Sequence, residues 1–222
     1  MNTDLATAPS DEARSASMSH EMAVVFVVDD DVSVRESLEL LIRSAGWQSE
    51  IFESAREFLA CPRPVVPNCL ILDVNLPDLN GLDLQQSVSV ERTDMPIIFV
   101  TGYGDVPMTV KAMKAGAAEF LTKPFSNEVL LTAIEQALER SRNSLALNSE
   151  IHELRDRHAS LSRREQEVMA LVVSGLLNKQ VGFELGISEI TVKAHRGQVM
   201  RKMKAGSLPD LVNMAARLGI AY

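Results

Sequence analysis

Apolar residues cluster early in the chain into short runs that stop abruptly at residues able to do chemistry. Ala23-Val24-Val25-Phe26-Val27-Val28 ends in Asp29, Asp30 and Asp31, and Cys69-Leu70-Ile71-Leu72 ends in Asp73. Pro96-Ile97-Ile98-Phe99-Val100 ends in Thr101-Gly102, and Glu119-Phe120-Leu121-Thr122 ends in Lys123-Pro124. Runs without polar alternation suit strands covered on both faces, the habit of a central parallel sheet. Pro77, shortly after Asp73, rules out strand continuation there. Trp47 to Phe52 supplies a second strand in chain order, which makes five.

Between the strands the period changes to three and four. Val34, Leu38, Leu41 and Ile42 form one stripe of a helix over Val32 to Ser44, with Gly46 as its stop. Further helices are predicted over Ser54 to Ala60, Leu82 to Val90, Pro107 to Ala115 and from Asn127 onward. Leu76 to Gly81 reads as turn chemistry. Strands alternating with helices over residues 22 to 140 predict a five-stranded, doubly wound parallel α/β domain. In such a sheet the carboxyl ends of the strands lie along one edge, where ligand sites sit.

No Gly or Pro interrupts the chain between Phe125 and Ser160. Leu131, Ile134, Leu138, Ser141 and Leu145, then Leu147, Ile151, Leu154, His158 and Leu161, step by three and four with one phase slip. This predicts a long helix that packs on the first domain up to about residue 140 and offers a self-associating seam from 145 to 161. Beyond it, Ser162 and Glu165 stand in capping-box spacing ahead of a helix through Val173. Asn178 to Leu185 reads as a short helix, Gly186 as a turn, Glu189 to about Lys204 as a helix capped by Ser188, and Ser207 to Leu218 as the last. A short helix, a glycine turn and a helix bearing Lys193, Arg196, Arg201 and Lys202 is the organisation of a helix-turn-helix DNA reader.

Composition adds an asymmetry. The net charge of −8 hides an acidic body, 13 basic against 25 acidic residues over 1–159, and a basic end, nine against five over 160–222. Only the second part is suited to a polyanion such as DNA. No apolar stretch approaches the roughly 18 residues that span a membrane. Residues 1–21, rich in Ser, Ala, Asp and Glu, lack the apolar core of a signal peptide and read as a flexible tail. The expected location is therefore cytoplasmic. Cys61 and Cys69 have no metal-ligand spacing and are expected as free thiols.

The acidic edge needs a cation. Asp29, Asp30 and Asp73 would crowd like charges, each pair costing about 4 kcal/mol at about 4 Å with an effective dielectric near 20. Hard carboxylate donors without His or Cys select Mg²⁺, or Mn²⁺, and Mg²⁺ keeps open positions for water and phosphate. An aspartate beside a divalent ion, a lysine and the Thr101 hydroxyl is equipped to attack a phosphoryl group.

Asp29-Asp30 after the first strand, Asp73 after the third, Thr101-Gly102 after the fourth and Lys123-Pro124-Phe125 after the fifth resemble the receiver domain of two-component response regulators, a flavodoxin-like fold. The resemblance implies that Asp73 is the phospho-acceptor, that Asp29, Asp30, Asp73 and the Asn75 carbonyl hold the metal, and that Lys123 binds the phosphoryl group. It implies that Thr101 swings toward the phosphate, that Phe120, at the switch-aromatic position, turns inward, and that the Lys123-Pro124 bond is cis. Tyr103 is placed to overhang an acyl phosphate and slow attack by water.

Leu161-Ser162-Arg163-Arg164-Glu165, Asn178-Lys179-Gln180-Val181, Leu185-Gly186-Ile187-Ser188 and Thr191-Val192-Lys193 resemble the LuxR/FixJ type of four-helix DNA-binding domain, with Gly182-Phe183 as a departure from its usual small helix formers. The expected organisation is a tail (1–21), a receiver (22–142), a helical linker (143–160) and a LuxR-type domain (161–222). At 100° per residue Val192, Arg196, Val199 and Met203 share the packed face of the second helix of the reader. Lys193, Ala194, Gly197, Gln198 and Arg201 share the opposite arc. Lys193 is a candidate for guanine, Gln198 for adenine and Ala194 for a thymine methyl. Lys179, Thr191 and Lys202 suit phosphates. Arg196, a charge on the apolar stripe, is expected to pair with Glu165.

These resemblances imply a DNA-binding transcriptional regulator switched by a sensor histidine kinase, dimeric on activation, acting on a double-stranded operator, with RNA polymerase as a further partner and no membrane. A phosphohydrolase of the haloacid dehalogenase type would need an acid two residues beyond Asp73, where Asn75 stands. A regulator that keeps the pocket but works unphosphorylated is the remaining alternative.

Overall fold

A computed structural model describes residues 23–62, 64–91, 94–102 and 104–220. The expected flexible tail lies outside them. The chain divides into two compact units, Met1–Leu145 and Ala146–Tyr222.

The first unit contains strands β1 (Val24–Val28), β2 (Gln48–Phe52), β3 (Asn68–Leu72), β4 (Ile97–Thr101) and β5 (Glu119–Thr122). They are all parallel, in the order β2-β1-β3-β4-β5. Helices α1 (Val32–Ser44), α2 (Ala55–Ala60), α3 (Gly81–Glu91), α4 (Val106–Lys114) and the start of α5 (Asn127–Ala159) alternate with them. The continuous apolar runs are sorted residue by residue, because successive side chains in a strand point to opposite faces. Val24, Phe26, Val28, Leu70, Leu72, Ile97 and Phe99 enter one core with Phe58 of α2, Leu84 and Val88 of α3 and Ala112 of α4. Val25, Val27, Cys69, Ile71, Ile98 and Val100 enter the other with Leu38 and Ile42 of α1 and Leu130, Ile134 and Leu138 of α5. β1, β3 and β4 are buried along their whole length, whereas the edge strands β2 and β5 are half-exposed. Cys61 and Cys69 are free, as expected.

Local signals set the helix ends. The Asp31 carboxylate accepts from the Ser33 N–H at 2.8 Å and starts α1, and the Asp105 carboxylate accepts from the Met108 N–H at 2.7 Å and starts α4. Ser141, on the α5 seam, is fully buried in the first unit. Its hydroxyl donates to the Asp94 carbonyl at 2.6 Å and accepts from the Asn68 N–H at 3.1 Å.

The second unit takes in the end of α5 and helices α6 (Arg163–Val173), α7 (Asn178–Leu185), α8 (Glu189–Met203) and α9 (Leu208–Arg217). Leu154 and Leu161, expected on a seam facing a second copy, are instead buried among Met169, Val173, Val199, Met203 and Leu211. The helical period specifies an apolar stripe but not its partner, and α9 reaches this part of α5 first, with Arg217 Nη2 on Glu150 Oε2 at 2.6 Å. Leu147 of the same seam remains exposed. Between α7 and α8 the chain turns at Gly186, whose φ of 64° favours glycine. Gly182 is buried in this turn, and a Cβ there would lie 2.7 Å from the Ile187 carbonyl oxygen. The glycine that departs from the family pattern is thus what lets the short helix close on the turn.

Candidate phosphoryl-transfer and DNA-binding sites

Four parallel strands end on one edge and deliver the expected residues together. Asp29 follows β1, Asp73 follows β3, Thr101 ends β4 and Lys123 follows β5. The Asp73 N–H donates to the Val28 carbonyl at 2.9 Å and the Lys123 N–H to the Thr101 carbonyl at 2.8 Å, so each loop leaves its strand held by its neighbour. Asp29, Asp73 and Thr101 are buried, and Asp30 is exposed. One carboxylate oxygen from each of Asp29, Asp30 and Asp73 lies within 4.8 Å of the others.

The Lys123 ammonium sits against two of these acids, 2.7 Å from Asp29 Oδ2 and 3.4 Å from Asp73 Oδ2. The remaining oxygens are oriented by backbone. Asp29 Oδ1 accepts from the Asp31 N–H at 2.9 Å, and Asp73 Oδ1 accepts from the Asn75 N–H at 3.0 Å. Burial raises the Asp29 carboxyl above its ordinary range, and the bonds from Lys123 and Asp31 only partly oppose this. Burial would lower the Lys123 ammonium, but the hydrogen bond and charge of Asp29, joined by Asp73, hold it above its ordinary value. The two directions are compatible because the lysine answers to two carboxylates, while Asp29 shares one cation with a like-charged neighbour.

Sequence reasoning missed three residues here. Arg35 of α1 donates from Nη1 to the Asp29 carbonyl at 2.7 Å and steadies the β1 loop. Gly81, read only as turn chemistry, heads α3 against the Asp73 backbone; a Cβ there would lie 2.5 Å from the Asp73 carbonyl oxygen. Gly104 lies against Phe120, where a Cβ would meet Phe120 Cε1 at 2.9 Å and Thr122 Cγ2 at 2.7 Å. Phe120 is half-buried, its ring centroid 5.9 Å from that of Phe99. The Lys123-Pro124 peptide is cis. Tyr103, expected to overhang the site, lies outside the described residues.

In the second unit, Val192, Val199 and Met203 of α8 are buried, and Thr191, Lys193, Ala194, Gly197, Gln198 and Arg201 are exposed, as is Lys179 of α7. Lys193 Nζ lies 2.9 Å from Glu189 Oε1, Gln198 bonds Arg201, and the Thr191 and Ser188 hydroxyls are 2.8 Å apart. The expected pairing of Arg196 with Glu165 is not made. Arg196 Nη1 donates to Asn178 Oδ1 at 3.2 Å, and Glu165 Oε2 takes Lys202 Nζ at 2.6 Å. Six residues separate Arg196 from Lys202, about 9 Å along a helix, so Arg196 meets the start of α7 while Lys202 meets the start of α6.

No helix among the described residues is long and apolar enough to cross a membrane. Residues 25–135 match the response regulator receiver domain family, and residues 159–215 match the luxR family of bacterial regulatory proteins. Nodulation protein W of Bradyrhizobium diazoefficiens is 52% identical over 199 residues, 90% of this chain and 88% of that protein. The transcriptional regulatory protein FixJ of Rhizobium meliloti is 42% identical over 191 residues, 86% and 94% of the two chains. The solved structure of the response regulator StyR is 46% identical, has a TM-score of 0.78 and covers 88% of this chain and 99% of its own. With both domain types in order and relatives matched along nearly their whole length, the chain belongs to the response regulators that join a receiver to a LuxR-type DNA-binding domain, the group of the FixJ and nodulation protein W regulators.

Proposed function

We propose that this chain is a transcription factor whose DNA-binding unit is controlled by phosphoryl transfer from a sensor histidine kinase to Asp73. The observation that carries the reading is the Lys123 ammonium held by both Asp29 and Asp73 at the strand edge. Asp73 is fixed through Oδ1 by the Asn75 N–H, which leaves its second oxygen facing the lysine. That oxygen attacks the phosphorus of a phosphohistidine; a P–O bond forms, the P–N bond breaks, and its electron pair returns to the imidazole nitrogen. Lys123 binds the transferred oxygens, and the Thr101 hydroxyl donates to them while Phe120 turns into the space released.

Three convergent carboxylates with no His or Cys among them fit a hard divalent cation, Mg²⁺ or Mn²⁺. Asp29, Asp30, Asp73 and the Asn75 carbonyl would hold it. When bound, it supplies positive charge to the phosphoryl oxygens during transfer.

Lys193, Ala194, Gly197, Gln198 and Arg201 face the major groove of an operator, with Lys179 and Thr191 on phosphates. A phosphorylation-dependent homodimer sets two such helices on half-sites one DNA turn apart, about 34–36 Å. RNA polymerase is the downstream partner. A coupling of about 1–3 kcal/mol between the pocket and assembly is sufficient for control. Sedimentation velocity of the full chain in Mg²⁺, with and without beryllofluoride, tests the reading. Dimerisation that needs both beryllofluoride and Asp73, and is absent from Asp73→Ala, is expected. An assembly state indifferent to both would overturn control through assembly.

A further inference from the structure

We infer that Lys202 is a positioning residue, whose ammonium fixes how α8 is presented to DNA and does not itself contact phosphate. The inference rests on the DNA-binding reading above and concerns the device that holds its recognition helix. By sequence Lys202 is one of several cations on α8 and belongs with the phosphate contacts. The structure distinguishes it from the others. Lys193 is paired with Glu189 and Arg201 is bonded to Gln198, both exposed neighbours on the same helix. Arg196 is bonded to a neutral amide. Lys202 instead reaches a buried acid on another helix, with Nζ 2.6 Å from Glu165 Oε2 and 3.3 Å from the Ser160 carbonyl oxygen.

Glu165 is fixed independently. Its side chain is 8% exposed, its Oε2 accepts the Ser162 N–H at 2.7 Å, and its own N–H donates to Ser162 Oγ at 3.3 Å, the reciprocal cap that starts α6. The bond from Lys202, then that from the Ser162 N–H, hold the carboxyl below its ordinary value against the opposing effect of burial, so it is charged at neutral pH. Were Lys202 to swing out to a phosphate, a buried carboxylate would lose its cation, a loss a surface lysine does not incur. The Lys202 side chain is itself only 31% exposed.

The location explains why a strut is useful. The amino end of α8 is set by the Ser188 cap and the Gly186 turn. Its carboxyl end has Met203 in the core, and apolar packing restrains distance better than rotation about the helix axis. A directional bond from the adjacent residue supplies the missing restraint. The same ammonium joins three elements: the last turn of α8, the first turn of α6, and Ser160 just past the end of α5. The arc bearing Lys193, Gln198 and Arg201 is thereby referred, within the second unit, to the start of α6 and the turn at Ser160.

The test uses the full chain in Mg²⁺ and beryllofluoride, a duplex enriched by the wild-type protein from a randomised pool under the same conditions, and a scrambled duplex of equal composition. Affinities for both are measured between about 50 and 200 mM salt for the wild type, Lys202→Met, Lys202→Arg and Glu165→Gln. Circular dichroism confirms that each is folded at the assay temperature. Lys202→Met keeps the stem, and Glu165→Gln keeps the acceptor for the Ser162 N–H, so either variant carries the test if the other does not fold. Positioning predicts an unchanged salt slope, a fall of about tenfold or more in the ratio of enriched to scrambled affinity, the same fall in Glu165→Gln, and recovery in Lys202→Arg. A slope shallower by about 0.9, with both duplexes weakened alike, would make Lys202 a phosphate contact and overturn the inference. A lower melting temperature with ratio and slope both intact would overturn it as well, reducing the strut to a structural role. A wild-type protein that enriches no sequence would instead fail the DNA-recognition reading itself.

Discussion

Replacing Gly81 with alanine sets a methyl group against the segment that carries Asp73. The added Cβ would lie 2.5 Å from the Asp73 carbonyl oxygen and 2.9 Å from Val74 Cα. Ordinary contact begins near 3.4 Å, so the closest approach is short by about 0.9 Å. Both obstacles are backbone, and the Gly81 N–H is itself bonded to the Val74 carbonyl at 2.9 Å, so no side chain can rotate away. The turn from Asp73 to Asn75 must move as a piece. The φ of Gly81 lies outside the left-handed region, so the effect is steric rather than conformational. Overpacking of this kind costs about 1–3 kcal/mol, against which a helix-propensity gain of up to about 1 kcal/mol is set. A shift approaching 1 Å in a reacting group costs roughly a hundredfold in rate. The assay is the initial rate of phosphoprotein formation from acetyl phosphate in excess Mg²⁺, followed by intact mass, beside a thermal melt. Gly81→Ala should be phosphorylated roughly a hundredfold more slowly while still folded, melting a few degrees lower. Phosphorylation at the wild-type rate would refute the argument that this contact sets the position of the acceptor.

Other substitutions probe each unit separately. Burial raises the Asp29 carboxyl, and an acid bound to its proton more tightly in the folded state destabilises that state when ionised; the cost is present at neutral pH and relieved as pH falls through the folded value. Asp29→Asn should therefore raise the melting temperature in EDTA and abolish any further rise on adding Mg²⁺, whereas a lower melt in EDTA would show that the Lys123 pair outweighs burial. Leu154, 4% exposed in the core of the second unit, should cost about 2–5 kcal/mol on truncation to alanine, read as faster amide exchange in α6 and α8 with β1 and β3 unchanged; a Leu154 waiting for a second copy would leave monomer exchange alone. Gly197 is exposed, and a Cβ there meets nothing within 4 Å. Gly197→Ala should stabilise α8 by up to about 1 kcal/mol while weakening DNA binding, and an affinity equal to wild type would remove Gly197 from the groove-facing arc.

Much of this protein is written locally. Apolar runs ending in acid, hydroxyl or amine located the strands and the polar residues at their ends, because a strand buried on both faces needs no neighbour to declare itself. The cap residues placed the helix boundaries: α1 spans Val32–Ser44 as the pattern predicts, and Ser162 with Glu165 opens α6. Strand β2 begins at Gln48 rather than Trp47, whose side chain joins the core beside α1. What the chain cannot declare locally is which groups meet across elements. The apolar stripe of α8 pointed Arg196 at Glu165 and left Lys202 for a phosphate, but the axial placement of α8 against α6 gave Glu165 to Lys202 and Arg196 to Asn178. The seam through Leu154 looked available to a second copy until α9 closed over it. Gly81 and Gly182 read as a turn and a weak helix former, yet each is required by backbone approaching from another segment. Lys123 joins Asp29 across 94 positions of sequence. Periodicity and capping are set within a turn or two of chain, so the sequence by itself determined the elements and the residues at their ends. Pairing and close approach depend on how rigid elements stack, and only the tertiary structure decided them.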